Sequence, residues 1–246
     1  MPVIEVTTAN YPESDGRPMG ETDEHRDAMV RHIELLRHYY QNQRVYVSGD
    51  LLVYFEQGNP KKFVVPDAFV AKGIDPKKRR IYKTWVEEKA PDVAIETTSR
   101  KTKRKDTITK PRLYAQLGIK EYFLFDPTQE YLDPPLQGHR LVGDHYQPIS
   151  PEPDGSLISR ELELRLKHEQ GELAFYRLDT GERLLAGEQL AAREAAAHAA
   201  ADEVAAREVA ARRAAEERAQ QEAIARKAAE EELEKLRREL RSRSEE

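Results

Sequence analysis

Apolar positions change their period several times along the chain. Residues 1–24 are rich in Pro, Gly, Asp and Thr and show no periodicity, the composition of a loose arm. From about Glu24 to Gln41, Met29, Ile33, Leu36 and Tyr40 recur at helical spacing and predict an amphipathic helix, with Glu34 in its second turn. The period then shortens. Residues 45–47 and 51–55 are β-rich and flank a turn at Ser48, Gly49 and Asp50. Residues 63–70 predict a third strand, with Asp67 behind a proline inside it. Residues 75–90 form a basic connection around Trp85, and 93–95 a short apolar strand. A helix follows to about Leu117, stopped by Gly118, and 121–125 form the next strand. Beyond Asp126, LQGHRLVGDHYQPI, ELELRLKH and ELAFYRLDTGERL read as short hairpins that finish or extend the sheet.

The pattern breaks at Glu188. From there to Leu240 the chain has no Gly, Pro or aromatic residue, and its Ala, Glu and Arg are good helix formers. Leu233, Leu236 and Leu240 stand at the 3-then-4 spacing of a coiled-coil seam. A solvated helix held by i,i+4 charge pairs is the alternative, because most other seam positions would be Ala. The chain thus divides into an arm (1–24), an α/β (α+β) domain (25–187) and a helical or coiled-coil tail (188–246).

Charged residues make up 35% of the 246 positions and aromatics 7%, too polar for one continuous core. There is no cysteine, so disulfides and thiolate metal sites are excluded and a reducing cytoplasm is expected. The opening residues do not read as a secretory leader, and no apolar run is long enough for a membrane span. Net charge is −5 overall, yet residues 60–120 hold 17 Lys and Arg against 7 Asp and Glu. Such a cationic stretch on an acidic protein suits a polyanion, nucleic acid first; a solvated face is the alternative.

Two carboxylates sit where apolar strands should exclude them. Asp67 interrupts FVVPDAFV and Glu96 ends VAI. A charge in such a position costs several kcal/mol unless something compensates it. Two strand-borne carboxylates at one sheet rim can share a divalent cation, and hard oxygen ligands favour Mg2+ or Mn2+. Such an ion polarises a phosphate and lowers the pKa of its bound water. Arg100, Lys101, Lys103, Arg104 and Lys105 follow Glu96 at once and would grip the phosphate backbone of DNA. Pairing of each acid with a local Lys or Arg is the alternative. The histidines form no zinc pattern, and no Gly-rich phosphate loop is present.

At these residues the chain resembles a known family. VVPDAFVAKG, PDVAIETTS, then Asp106, Lys110 and LYAQLGIKEYFLFDP are similar to the Uma-two restriction-endonuclease family, a branch of the PD-(D/E)XK nuclease superfamily. YFEQGNP, RRIYKTWVEE and PLQGHRL share the likeness, which spans about 49–188. The resemblance implies a restriction-endonuclease-like mixed sheet of four or five strands flanked by helices, followed here by the long helix. It implies catalytic roles for Asp67, Glu96 and Lys110, metal binding by Asp67 and Glu96, and further positions at Asp106 and, more loosely, Glu34. The superfamily places a lysine two residues after the glutamate; Thr98 stands there, and Lys110 matches the lysine used instead. Pro111 disfavours helical dihedrals at Lys110 and puts the helix start near Pro111.

Two functions compete on this reading. One is a metal-dependent DNA endonuclease, a homo-oligomer (dimer) if the tail pairs. The other is a weak or inactive nuclease fold serving as a DNA-binding or coiled-coil assembly module.

Overall fold

The computed structural model describes residues 10–14, 22–185 and 187–244. Two compact units divide it at Gly187.

The first unit opens with helix α1 (Asp23–Tyr39). Thr22 caps it by accepting a hydrogen bond from the His25 N–H. Acidic residues in its first turn and basic residues in its last suit the helix dipole. The chain continues through β1 (Val45–Ser48), β2 (Val53–Tyr54), β3 (Phe63–Val64), β4 (Ala68–Lys72), β5 (Tyr82–Lys83), α2 (Thr84–Glu87) and β6 (Val93–Thr97). A π-helical turn (Lys105–Thr109) leads into α3 (Lys110–Gln116). Then come β7 (Glu121–Phe125), β8 (Leu136–Val142), β9 (His145–Pro148), β10 (Leu157–Ser159), β11 (Leu164–Glu169) and β12 (Glu172–Arg177).

The central sheet runs β1-β4-β6-β7-β8-β9, parallel only between β6 and β7. It has six strands rather than the four or five implied above, because the β8–β9 hairpin adds to its edge. The later strands do not all join it, for β10, β11 and β12 form a sheet of their own. Alternate side chains feed two cores, as the period of two requires. Val45, Val47, Val70, Val93, Ile95, Phe123 and Phe125 meet α1 and the β10–β12 sheet. Tyr46, Phe69, Ala94, Tyr122 and Leu124 meet Tyr114 of α3 and the small sheet β3-β2-β5.

Residues 63–70 are not one strand. Pro66 has no N–H to give a ladder, so the run breaks there, and β3 and β4 enter different sheets. The break is what leaves Asp67 at a strand entrance. Part of the expected loose arm is docked: the Tyr11 ring lies 5.0 Å from Tyr54 and 5.3 Å from Trp85. The Tyr54 hydroxyl donates to the Pro12 carbonyl at 2.7 Å. The rest of the arm, 1–9 and 15–21, lies outside the described residues.

The second unit is one helix, α4 (Gly187–Ser244), exposed at its described positions apart from half-buried Leu190. Glu203–Arg207, Arg212–Glu216 and Arg226–Glu230 pair at i,i+4, each contributing about 0.2–0.5 kcal/mol. Leu233 is exposed; the side chains of Leu236 and Leu240 lie outside the described residues. No described helix is long and apolar enough to cross a membrane.

Candidate active site

The pleat of β6 sends Val93 and Ile95 to one core and Ala94 and Glu96 to the other. Glu96 is fully buried. An ionised carboxylate there requires donors, and three converge. Lys110 Nζ donates to Oε2 at 2.6 Å, the Tyr114 hydroxyl to Oε1 at 2.6 Å, and the Asp67 N–H to Oε2 at 3.2 Å.

Asp67 faces Glu96 because β4 and β6 pair antiparallel with Ala68 opposite Ile95, and the register runs on by one step. The Asp67 carboxylate answers by accepting the Thr97 N–H at 2.7 Å. The two strand ends therefore cross-tie through each other's side chains. From the other side, His25 Nε2 of α1 lies 3.3 Å from Asp67 Oδ2. The turn after β1 crowds the same spot. A Cβ on Gly49 would stand 1.9 Å from the Asp67 carbonyl oxygen, so only glycine fits.

Lys110 arrives from an irregular helix. The expectation that the helix starts at Pro111 fails: helical backbone runs from Lys103 to Gln116, and Lys110 itself is helical at φ −61°, ψ −43°. In a regular helix the Pro111 ring would strike the carbonyl four residues back. The π turn widens the coil here, and the Lys110 N–H bonds to the Lys105 carbonyl instead. Asp106, Lys110 and Tyr114, at steps of four, then face the sheet together. Asp106 is buried, with Oδ1 3.0 Å from Lys110 Nζ, while its carbonyl accepts from the Tyr122 hydroxyl at 2.8 Å.

Burial pushes Glu96 up to about 8, assisted by the charges of Asp67 and Asp106 and opposed by Lys110. Burial would also raise Asp67, but the His25 hydrogen bond, the Lys110 charge and the Thr97 N–H outweigh it and hold Asp67 below its ordinary value. Lys110 is raised: burial works against its charge, and Glu96, Asp67 and Asp106 prevail. Glu96 and Asp106 side chains are 0% and 1% exposed, whereas Lys110 and Asp67 keep 19% and 20%. The cluster therefore opens to solvent along its Asp67–Lys110 edge.

The structure brings together Asp67, Glu96, Lys110 and Asp106. Glu34 is exposed on α1, and the α1 residue that reaches the cluster is His25. Thr98, at the position of the superfamily lysine, is buried with no hydrogen-bond partner for its hydroxyl. Arg100, Lys101, Lys103, Arg104 and Lys105 are all exposed, and among the described residues none makes an ion pair. Two neighbours escaped the sequence reading. Tyr114 was legible, since it continues the four-residue step from Asp106 and Lys110. His25 carries no local signal, because only the packing of α1 brings it to Asp67.

Among the described residues no group of three or more His, Asp or Glu side chains is arranged to hold a metal ion. The chemistry of the donors suits a hard cation nonetheless. Asp67 and Glu96 make the two-carboxylate set that Mg2+ commonly uses while keeping several waters. Buried Asp106 has no hydrogen-bond donor on Oδ2, and its Oδ1 has only the ion pair with Lys110, the same ammonium that serves Glu96.

The Uma2 family, described as "Putative restriction endonuclease", matches residues 9–175. The crystal structure of a "putative nuclease belonging to DUF820" from Anabaena variabilis ATCC 29413 aligns with a TM-score of 0.47 and 17% identity, covering 63% of this chain and 83% of that one. No curated protein matches.

Proposed function

For a chain that belongs to the Uma2 family, we propose metal-dependent hydrolysis of DNA phosphodiester bonds at the Asp67–Glu96–Lys110 cluster. One observation carries the reading. Two cross-tied strand-end carboxylates and an ammonium from a separate helix meet in one cluster whose Asp67–Lys110 edge faces solvent, four residues from an unpaired run of cations. A structural ion pair needs no such opening.

Asp67 and Glu96 would hold Mg2+ or Mn2+, which when bound supplies an activated water and charge neutralisation at the phosphate. The remaining work belongs to the protein's own side chains. Tyr114 engages Glu96 Oε1, so that Oε2 is the oxygen turned toward Lys110 and Asp67. The Asp67 N–H and the Thr97 N–H hold the two carboxylates in register. Lys110 Nζ, partly exposed, reaches the edge where a scissile phosphate would lie and offers its charge to oxygens that become more negative during attack. The exposed cations of 100–105 would carry flanking phosphates, and a 5′-phosphate product is expected.

One observation favours the second reading, a DNA-binding fold without turnover: Lys110 is held by both Glu96 and Asp106, and Thr98 supplies no second ammonium. Supercoiled plasmid separates the two. Nicking that requires Mg2+ or Mn2+ and disappears in Lys110→Ala, with DNA affinity nearly kept, supports the nuclease. Tight DNA binding with no cleavage under either ion supports the other. We also propose that Leu233, Leu236 and Leu240 pair two chains. Light scattering that gives the same subunit count with and without residues 188–246 would rule this out.

A further inference from the structure

Helix α1 lays one stripe on the domain core, and its buried positions are His25, His32, Leu35 and Leu36. Apolar residues ordinarily fill such a stripe. His25 departs from that rule in the first turn. It is 3% exposed, while Thr22, Asp23, Glu24, Arg26 and Asp27 around it all face water. An imidazole buried at such a position costs free energy unless its ring nitrogens meet a polar partner. The ring reaches Asp67, where Nε2 stands 3.3 Å from Oδ2.

The helix leaves His25 little freedom to be elsewhere. Its own N–H bonds to the capping Thr22 hydroxyl at 3.3 Å. Farther along α1, Arg37 Nε donates to the Val47 carbonyl of β1 at 3.0 Å. His32 packs edge-on against Phe125 and Phe175, with ring centres 5.5 and 6.0 Å apart. Ile33 closes over the turn beside Asp67: a Cβ on Gly49 would stand 2.6 Å from Ile33 Cδ1. Backbone, side-chain and ring contacts thus tie α1 to the strand end that carries Asp67.

Which oxygen is occupied matters. The Thr97 N–H and His25 Nε2 both meet Oδ2 of Asp67, and among the described residues Oδ1 receives no hydrogen bond. One donor on Oδ2 would let the carboxylate pivot about that atom. A second group on the same oxygen, brought by a different element, restrains the pivot. We infer that His25 is a positioning residue for the metal site: held by α1, it fixes Asp67 through Oδ2 and so presents Oδ1 to the divalent cation. The inference rests on the reading above that Asp67 is a ligand of that ion. Groups that orient a metal-binding side chain contribute about 10–100-fold to metal affinity or activity.

The test is Mn2+ binding to the full chain without DNA, followed by loss of the electron paramagnetic resonance signal of the free ion. His25→Leu fills the apolar volume without a donor and should weaken Mn2+ binding about 10–100-fold. His25→Gln, whose amide nitrogen can reach the place of Nε2, should restore most of the loss. A histidine that only fills the core predicts the reverse, because leucine would serve there at least as well as glutamine. Parental Mn2+ affinity in His25→Leu, or glutamine binding no better than leucine, overturns the inference. If His25→Leu does not fold, His25→Gln against His25→Asn decides on the same terms, the asparagine amide being too short to reach Oδ2. A parent that binds no Mn2+ overturns both this role and the metal-dependent reading. A parent that binds Mn2+ with the expected dependence on His25 and yet never nicks plasmid leaves this inference standing and overturns the nuclease reading alone.

Discussion

Strand β6 carries a buried carboxylate at each end, and the two are treated in opposite ways. Asp92 at its entrance receives Lys89 at 2.7 Å, Lys120 at 2.9 Å and the Lys72 N–H at 2.7 Å. Two ammoniums reach this one carboxylate, Lys120 being shared with Glu161 at 3.1 Å. At the far end Glu96, Asp67 and Asp106 share the single ammonium of Lys110. Burial would raise Asp92, yet its lysines and backbone donor hold it below its ordinary value, while Glu96 is driven above its own. A strand end whose carboxylate is matched by its cations is a finished structural knot. One with more carboxylates than ammoniums leaves room for positive charge from outside, as the proposed function requires. The same residue type on one strand thus reads as architecture or as chemistry according to the local charge count.

The sharpest way to break this comparison is to neutralise one carboxylate at each end. Asp67→Asn should lower metal-dependent DNA cleavage by at least about a hundredfold, the scale of losing one preorganised electrostatic group, and barely move thermal unfolding. Asp92→Asn should do the reverse. It removes an acceptor shared by three donors and should cost about 1–3 kcal/mol in denaturant unfolding, with cleavage per folded molecule unchanged. Parental cleavage in Asp67→Asn would mean that both ends are architecture.

Metal should divide the ends next. Mn2+ should raise the unfolding temperature of the parent, with about 2.7 kcal/mol available at a hundred times Kd. Asp92→Asn should keep that shift and Asp67→Asn should lose it; an equal shift in both places the ion elsewhere.

pH gives a smaller effect with opposite signs. Glu96 binds its proton more tightly folded than unfolded, so its contribution is present below about 4.5 and is lost as pH rises toward about 8. With metal chelated, the parent should lose stability over that window relative to Glu96→Gln. Asp92 has the depressed value, so its contribution is present above 3.8 and is lost on acidification. Unfolding temperatures measured from acid to pH 8 for the parent and the two amide variants check both slopes. Parallel curves for parent and Glu96→Gln would remove the charge surplus from the account. Smallest is Tyr114→Phe, expected to cost about 1–2 kcal/mol through the lost hydrogen bond to buried Glu96. Here the check is urea unfolding, and no change in midpoint would mean that the hydroxyl holds nothing.

Much of this could be read before any coordinates, for identifiable reasons. Asp67 and Glu96 stand out because strand periodicity makes a carboxylate costly at those positions. The family likeness marks Asp106 and Lys110, and Tyr114, though not singled out, continues their four-residue step along the helix. What resisted reading depends on tertiary contacts or on one local rule overriding another. His25 meets Asp67 only because α1 crosses the sheet end, and Glu34, suggested by the family likeness, faces water. Residues 63–70 looked like one strand because apolar composition hid the missing Pro66 donor. Pro111 argued for a helix start because the rule for pre-proline residues assumes a regular coil, and the π turn removes that assumption.

The π turn has a mechanical consequence. It lies between Lys103 and Arg104 on one side and Lys110 and Tyr114 on the other, and begins at Lys105 itself, all on one helical rod. Each residue added to or taken from a helix turns everything beyond it by about 100°. The turn therefore works as a gear tooth between a handle and a bit: it sets the angle at which the cations stand out while the ammonium points in. Removing a single residue from Lys105–Thr109 would leave every charge in the chain's composition intact apart from the one deleted, yet swing the handle a quarter-turn or more out of line with the bit.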